Sequence, residues 1–159
     1  MELVDSVSIS QSRDVVWRAL RDPEILREAI PGCEALEEEE DGRLSATVSL
    51  KIGPVRARFS GDVEFSEVDP PDRLVLAGEG KGGAAGFAKG SARVTLEEVG
   101  PNETLLSYKA QVQVGGKLGQ LGARLIDSTA KKLSRQFFDD FNAAVSRTCD
   151  TAEVTREGA

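Results

Sequence analysis

Histidine is missing from all 159 residues. Without an imidazole, no His-liganded zinc or haem site can form. Neither a Ser-His-Asp nor a Cys-His catalytic apparatus is available. Cysteine is nearly as scarce. Cys33 and Cys149 stand at opposite ends of the chain, and two thiols make neither a disulfide framework nor a metal cage. A reduced, cytoplasmic chain is the expectation. Basic residues are the minority, 20 Lys and Arg against 27 Asp and Glu for a net charge of −7. This argues against nucleic acid as a partner, because phosphate binding needs a basic face. No apolar run approaches the ~20 residues that span a bilayer. The opening Met1-Glu2-Leu3-Val4-Asp5 has no basic segment and no apolar stretch of a signal peptide. Membrane contact is therefore expected to be peripheral, on the inner face of the cytoplasmic membrane, or made through a partner.

What is present suits one globular domain. The hydrophobic fraction is 40% and the charged fraction 30%. A chain of this length buries roughly 70% of its unfolded surface and needs no staples. Leu3, Asp5, Val7 and Ile9 alternate with Val4, Ser6 and Ser8, as in a strand with one buried face. Ser12 is placed to cap a helix carrying Val15, Val16, Trp17 and Leu20. Asp22-Pro23 opens a second short helix that Pro31-Gly32 ends. Period-2 alternation then dominates. It runs through Leu44–Ile52, Val55–Phe65, Arg73–Gly78, Ala92–Leu96 and Leu106–Val114, with turns at Gly53-Pro54, Asp69-Pro70-Pro71-Asp72 and Gly100-Pro101-Asn102. One polar and one apolar face per strand indicates an antiparallel sheet. After Gly115-Gly116 the period changes. Leu118, Leu121, Leu125, Ile126, Leu133, Phe137, Phe141 and Val145 recur at helical spacing, over about 30 residues or ~45 Å.

The order strand, two short helices, about six strands and one long helix predicts an α+β helix-grip fold. A curved antiparallel sheet wraps the C-terminal helix, which alone is large enough to cover its apolar face. The domain spans residues 1–147, and residues 148–159 form a polar tail. Gly and Ala dominate both the helix start and the 78–92 hairpin, so an apolar pocket is expected between helix and sheet.

Several features have plain readings. Gly78, Gly80 and Gly83 fit G-x-G-x-x-G, but a strand follows where a dinucleotide site needs a helix. The segment reads as a flexible hairpin or as a mobile flap at the pocket mouth, with Phe87 its only large apolar group. Glu37-Glu38-Glu39-Glu40-Asp41 reads as a solvated turn without the ligand spacing of a calcium loop. Lys117, Arg124, Lys131 and Arg135 fall along one side of the long helix, as a solvent face or as a basic strip for anionic headgroups. No nucleophile stands beside a base, and no metal site is expected.

The sequence resembles the CoxG family of carbon monoxide dehydrogenase subunits, within the START-like (SRPBCC) helix-grip superfamily. The likeness rests on Val15-Val16-Trp17-Arg18-Ala19-Leu20 with Asp22-Pro23 and Leu26, on Ile30-Pro31-Gly32-Cys33-Glu34, and on Lys51-Ile52-Gly53-Pro54-Val55 with Phe59 and Gly61. It continues through the glycine hairpin from Gly78 to Gly90, and through Val114-Gly115-Gly116-Lys117-Leu118 with Leu121-Gly122, Arg124-Leu125-Ile126-Asp127 and Phe137-Phe138. The resemblance implies a non-catalytic accessory protein. Such a protein binds a respiratory quinone such as menaquinone and links a molybdenum carbon monoxide dehydrogenase or related hydroxylase to the membrane. Some members of the family carry a C-terminal extension that meets the membrane; this sequence has no apolar tail before Ala159.

On this reading Phe59, Leu76, Phe87, Leu118, Leu121 and Leu125 are the expected pocket lining. Phe87 is out of phase with Ala92, Val94 and Leu96, and joins the lining only if Gly90 marks a bulge. Two rival readings stand beside it. One is a START-like cyclase or hydrolase acting on an apolar small molecule, with Tyr108 as the acid-base candidate. The other is an assembly adaptor with no functional cavity.

Overall fold

The structure, a computed structural model, describes the backbone of residues 1–157 and the side chains of residues 1–147. The expected polar tail, 148–159, thus lies outside the described side chains. Seven strands form one antiparallel sheet: β1 (Glu2–Ile9), β2 (Cys33–Glu38), β3 (Leu44–Ile52), β4 (Val55–Asp69), β5 (Arg73–Lys81), β6 (Phe87–Gly100) and β7 (Glu103–Gly115). Their spatial order is β1-β7-β6-β5-β4-β3-β2. Two short helices, α1 (Arg13–Leu20) and α2 (Pro23–Ala29), join β1 to β2, and a long helix α3 (Ala123–Glu157) follows β7. This is the α+β helix-grip architecture that the patterning predicts.

The local signals act as read. The Ser12 hydroxyl accepts from the Val15 amide at 3.4 Å, and the Asp22 carboxylate accepts from the Glu24 amide at 3.0 Å, with Pro23 opening α2. Each cap satisfies an amide that has no partner within the helix. Two boundaries differ. The apolar spacing that begins at Leu118 is not yet helix α3. Leu118–Leu121 is a separate 3-10 turn, and Gly122 (φ 93°) breaks it from α3. Glu37 and Glu38 are not turn residues but the end of β2, and the turn follows them. Charge masks this strand's alternation, as befits an exposed sheet edge.

The apolar side chains gather in separate clusters. The largest joins Val16, Trp17 and Leu20 of α1 to Leu74, Val94, Leu96 and Leu106 of the sheet and to Phe141, Ala144 and Val145 of α3. Phe137 stacks on Phe141 with ring centroids 5.8 Å apart, and Phe138 stacks on Tyr108 at 5.2 Å. A smaller cluster sits at the other end of the sheet. There Ile52, Phe59 and Leu118 are buried, with Leu121 and Ile126 packed against them. Helix α3 thus rests on two apolar supports, one under Ile126 and one under Phe137–Val145.

The larger support carries a testable energy. Phe141 is fully buried, so Phe141→Ala is expected to cost about 3–5 kcal/mol. Chemical denaturation should report that loss, and Tm should fall by roughly 10 °C.

Candidate functional site: a groove floored by glycine and alanine

Between the two supports the inward face of the sheet loses its side chains. The strand registers define this. One row across the sheet is Leu44–Val63–Gly78–Gly90–Val112, and the next is Ala46–Gly61–Gly80–Ala88–Val114. The row on the core side of these is Phe65–Leu76–Ala92–Ala110–Leu3. Side-chain volume dips where the glycines fall and rises again at Phe59. Rows two residues apart are spaced ~7 Å along the strands, so two depleted rows leave room for a ring system or a lipid chain.

A groove of about 1500 Å³ lies here. Its lining includes Gly61, Gly78, Gly90, Val112 and Val114 of the sheet, Gly119 and Gly122 of the 3-10 turn and its end, and Ala123, Ile126 and Asp127 at the start of α3. Residues flanking the floor glycines also border it, among them Asp62, Glu79, Lys89 and Gln111. Strand alternation directs their side chains to the opposite face of the sheet, where they are exposed. Arg124 and Arg43 complete its charged border. The groove is therefore open and of mixed polarity, where the composition predicts an apolar pocket.

None of the six expected lining residues borders this groove. Phe59 and Leu118 are buried in the smaller cluster, and Leu121 packs against it. Leu76 packs on the main cluster. Leu125 faces the β3–β4 turn, where its Cδ2 would lie 2.8 Å from a Cβ built on Gly53. Phe87 pairs with Lys81 and Gly115 in an unbroken ladder through Gly90, so no bulge turns it inward. Its ring lies across Gly115, in the space a Cβ there would need, and the residue is 37% exposed. For all but Phe87 the physical reason is the same. Large apolar side chains fill their own space, and the groove opens where side chains are missing.

The glycine hairpin is tied down instead of standing free as a flap. Its ladder continues to Lys81 and Phe87, and the Gly82 amide donates to the Gly86 carbonyl at 2.8 Å. Gly86 (φ 110°) lies against Gly115 and Gly116 so closely that a Cβ would overlap the Gly115 carbonyl oxygen. Only glycine fits at this contact.

Tyr108 is the one tyrosine. It is half-buried and stacks on Phe138. It lies outside the groove lining. Burial pushes its phenol above the usual value of 10.0, against the opposing effect of Ser134. A phenol held protonated at neutral pH is no general base there. Away from the groove, the Cys33 thiol is also pushed up by burial, and Glu34 is held below its usual range by Ser49 and Arg58. Among the described residues, no group of three or more His, Cys, Asp or Glu side chains is placed to hold a metal ion.

The family model of CoxG, a carbon monoxide dehydrogenase subunit, matches residues 6–146. The chain belongs to the CoxG family. A conserved protein from Geobacillus kaustophilus is similar at 27% identity and a TM-score of 0.87, covering 93% of this chain and 97% of that one. A START superfamily protein from Mycobacterium smegmatis matches at 16% identity and a TM-score of 0.69, over 92% and 98% of the two chains. The Zhui aromatase/cyclase from a Streptomyces species matches at 14% identity and a TM-score of 0.66, over 92% and 94%. These last two likenesses establish the START-like fold alone. No protein of curated function matches. CoxG membership and the START-like fold fit a ligand-binding accessory protein. No helix among the described residues is long and apolar enough to cross a membrane.

The lone phenol gives a clean test of its surroundings. Ultraviolet titration should place the Tyr108 midpoint above 10, and Phe138→Ala should bring it down by admitting water. A raised phenol pKa stabilises the fold fully below the unfolded value. That contribution should be lost as pH rises from there through the folded pKa.

Proposed function

We propose that this CoxG-family protein is a non-catalytic carrier for a lipophilic ligand, a respiratory quinone of the menaquinone type. It links a molybdenum carbon monoxide dehydrogenase or related hydroxylase to the membrane quinone pool. The observation that carries this reading is the side-chain-depleted floor between two apolar supports. Ligand pockets commonly measure ~300–1,000 Å³, and a groove of about 1500 Å³ has space for a flat ring and part of an isoprenoid tail. The glycine floor lets a planar ring lie close to the main chain, and the open side accommodates a tail longer than the groove. Family membership supports the oxidoreductase partner. The position of Tyr108 supports carriage over catalysis, because the candidate acid-base group stands outside the groove.

Organic extraction of purified protein followed by mass spectrometry tests the reading. An isoprenoid quinone should be recovered, or taken up when menaquinone is added. Gly119→Leu with Ala123→Leu narrows the groove from its α3 side. A Cβ on Gly119 meets only the Val114 main chain, at 3.4 Å, so the fold should tolerate the change. Bound quinone should fall at least tenfold with Tm unchanged. Full retention in this variant, or protein that neither yields nor takes up quinone, contradicts the proposal.

A further inference from the structure

The charge of this acidic chain is strongly polarised. Three segments meet at one end of the molecule: the β3–β4 hairpin, the β5–β6 hairpin and the β7–α3 junction. Their proximity follows from three contacts. Gly53 lies against Leu125, Gly82 against the Phe59 ring, and Gly86 against Gly116. Residues 49–60, 80–91 and 111–126 contain seven Lys and Arg and no Asp or Glu. The remainder of the chain holds all 27 acidic residues. Arg58 at this end is paired, 2.6 Å from Glu34. Lys51, Arg56, Lys81, Lys89, Lys117 and Arg124 have no ion-pair partner among the described residues. Lys51 and Arg56 are directly opposed in the β3–β4 ladder, both exposed. Like charges so placed destabilise a hairpin, and no ion pair among the described residues relieves them.

We propose that this cationic end is a docking surface for an anionic membrane, recognised through lipid phosphate. The cations are spread over separate turns and four of the six are lysines, flexible point charges suited to a diffuse layer of headgroups. Exposed Phe87 stands among them, paired in register with Lys81, as an apolar group able to enter the interface. The acidic remainder is repelled by the same surface, so the field orients the molecule end-on. Arg124 also borders the groove, at the start of α3. Docking thus brings the groove to the bilayer, where a lipophilic ligand transfers without crossing water. The inference deepens the carrier reading and, for that last step, rests on it.

Vesicle flotation tests it with the whole chain. Phosphatidylcholine vesicles are compared with vesicles in which about a third of the lipid is phosphatidylglycerol, at low and high salt. The chain should bind only the anionic vesicles, and high salt should release it. Each basic residue at such a surface contributes roughly fivefold in affinity. Lys51→Glu with Arg56→Glu should therefore weaken binding at least thirtyfold, as should Lys117→Glu with Arg124→Glu. Arg93→Glu with Lys109→Glu makes the same charge change elsewhere on the sheet and should have little effect. Thermal melts of each variant confirm folding. Equal binding to both vesicle types, or equal loss in the control pair, overturns the proposal. So does failure to bind either vesicle, and an acidic protein face then becomes the occupant to seek. Quinone content measured on the same preparations separates the two readings. Vesicle binding without quinone removes the carrier and keeps the docking surface, and quinone without vesicle binding does the reverse.

Discussion

A rigid helix held at two points, over a stretch of sheet depleted in side chains by four glycines, is the constraint on which the rest depends. Phe137, Phe141 and Val145 seat α3 in the main core, and Ile126 seats it near Phe59 and Leu118. The eleven residue steps from Ile126 to Phe137 span about 16 Å at the helical rise. A straight helix cannot sag into the space below, and Gly78, Gly90, Gly61 and Gly80 send nothing up to meet it. Protein interiors otherwise close at near-crystalline density. Here closure is prevented by geometry, and the opening belongs to the fold.

Most of the fold is legible in the sequence, because its signals are local. Ser12 and Asp22 cap the helices, the Gly-Pro and Pro-Pro turns separate the strands, and the change of period after Gly115-Gly116 announces the terminal helix. The strand β2 escapes the pattern because Glu34, Glu37 and Glu38 break its alternation at a free sheet edge. The onset of α3 escapes it because Leu118 and Leu121 satisfy helical spacing from a 3-10 turn. Gly122 at positive φ is the residue that separates the two.

The site is less legible, for a reason of sign. Phe59, Leu76, Phe87, Leu118, Leu121 and Leu125 attract attention because they are apolar, yet all but Phe87 fill space against neighbouring side chains. What makes the groove is an alignment of small residues on four different strands. No single strand reveals it, since each carries only one or two of these small residues at inward positions. The turns at Gly53-Pro54 and within Gly82–Gly86 fix the register, and pairing the strands from those turns outward brings the glycines into rows. Phe87 obeys the same register. Its parity relative to Ala92 and Val94 places it on the outer face, beside the cations that crowd this end of the molecule.

The central claim concerns where a ligand sits, and amide chemical shifts measure that most directly. Menaquinone would be added to delipidated, isotopically labelled protein while backbone amides are followed by NMR. The account predicts that the largest shifts fall on Gly61, Gly78, Gly90, Val112, Val114 and the first turn of α3. Shifts confined to the outer face of the sheet or to the Trp17–Phe141 core, or no shifts at all, would contradict it.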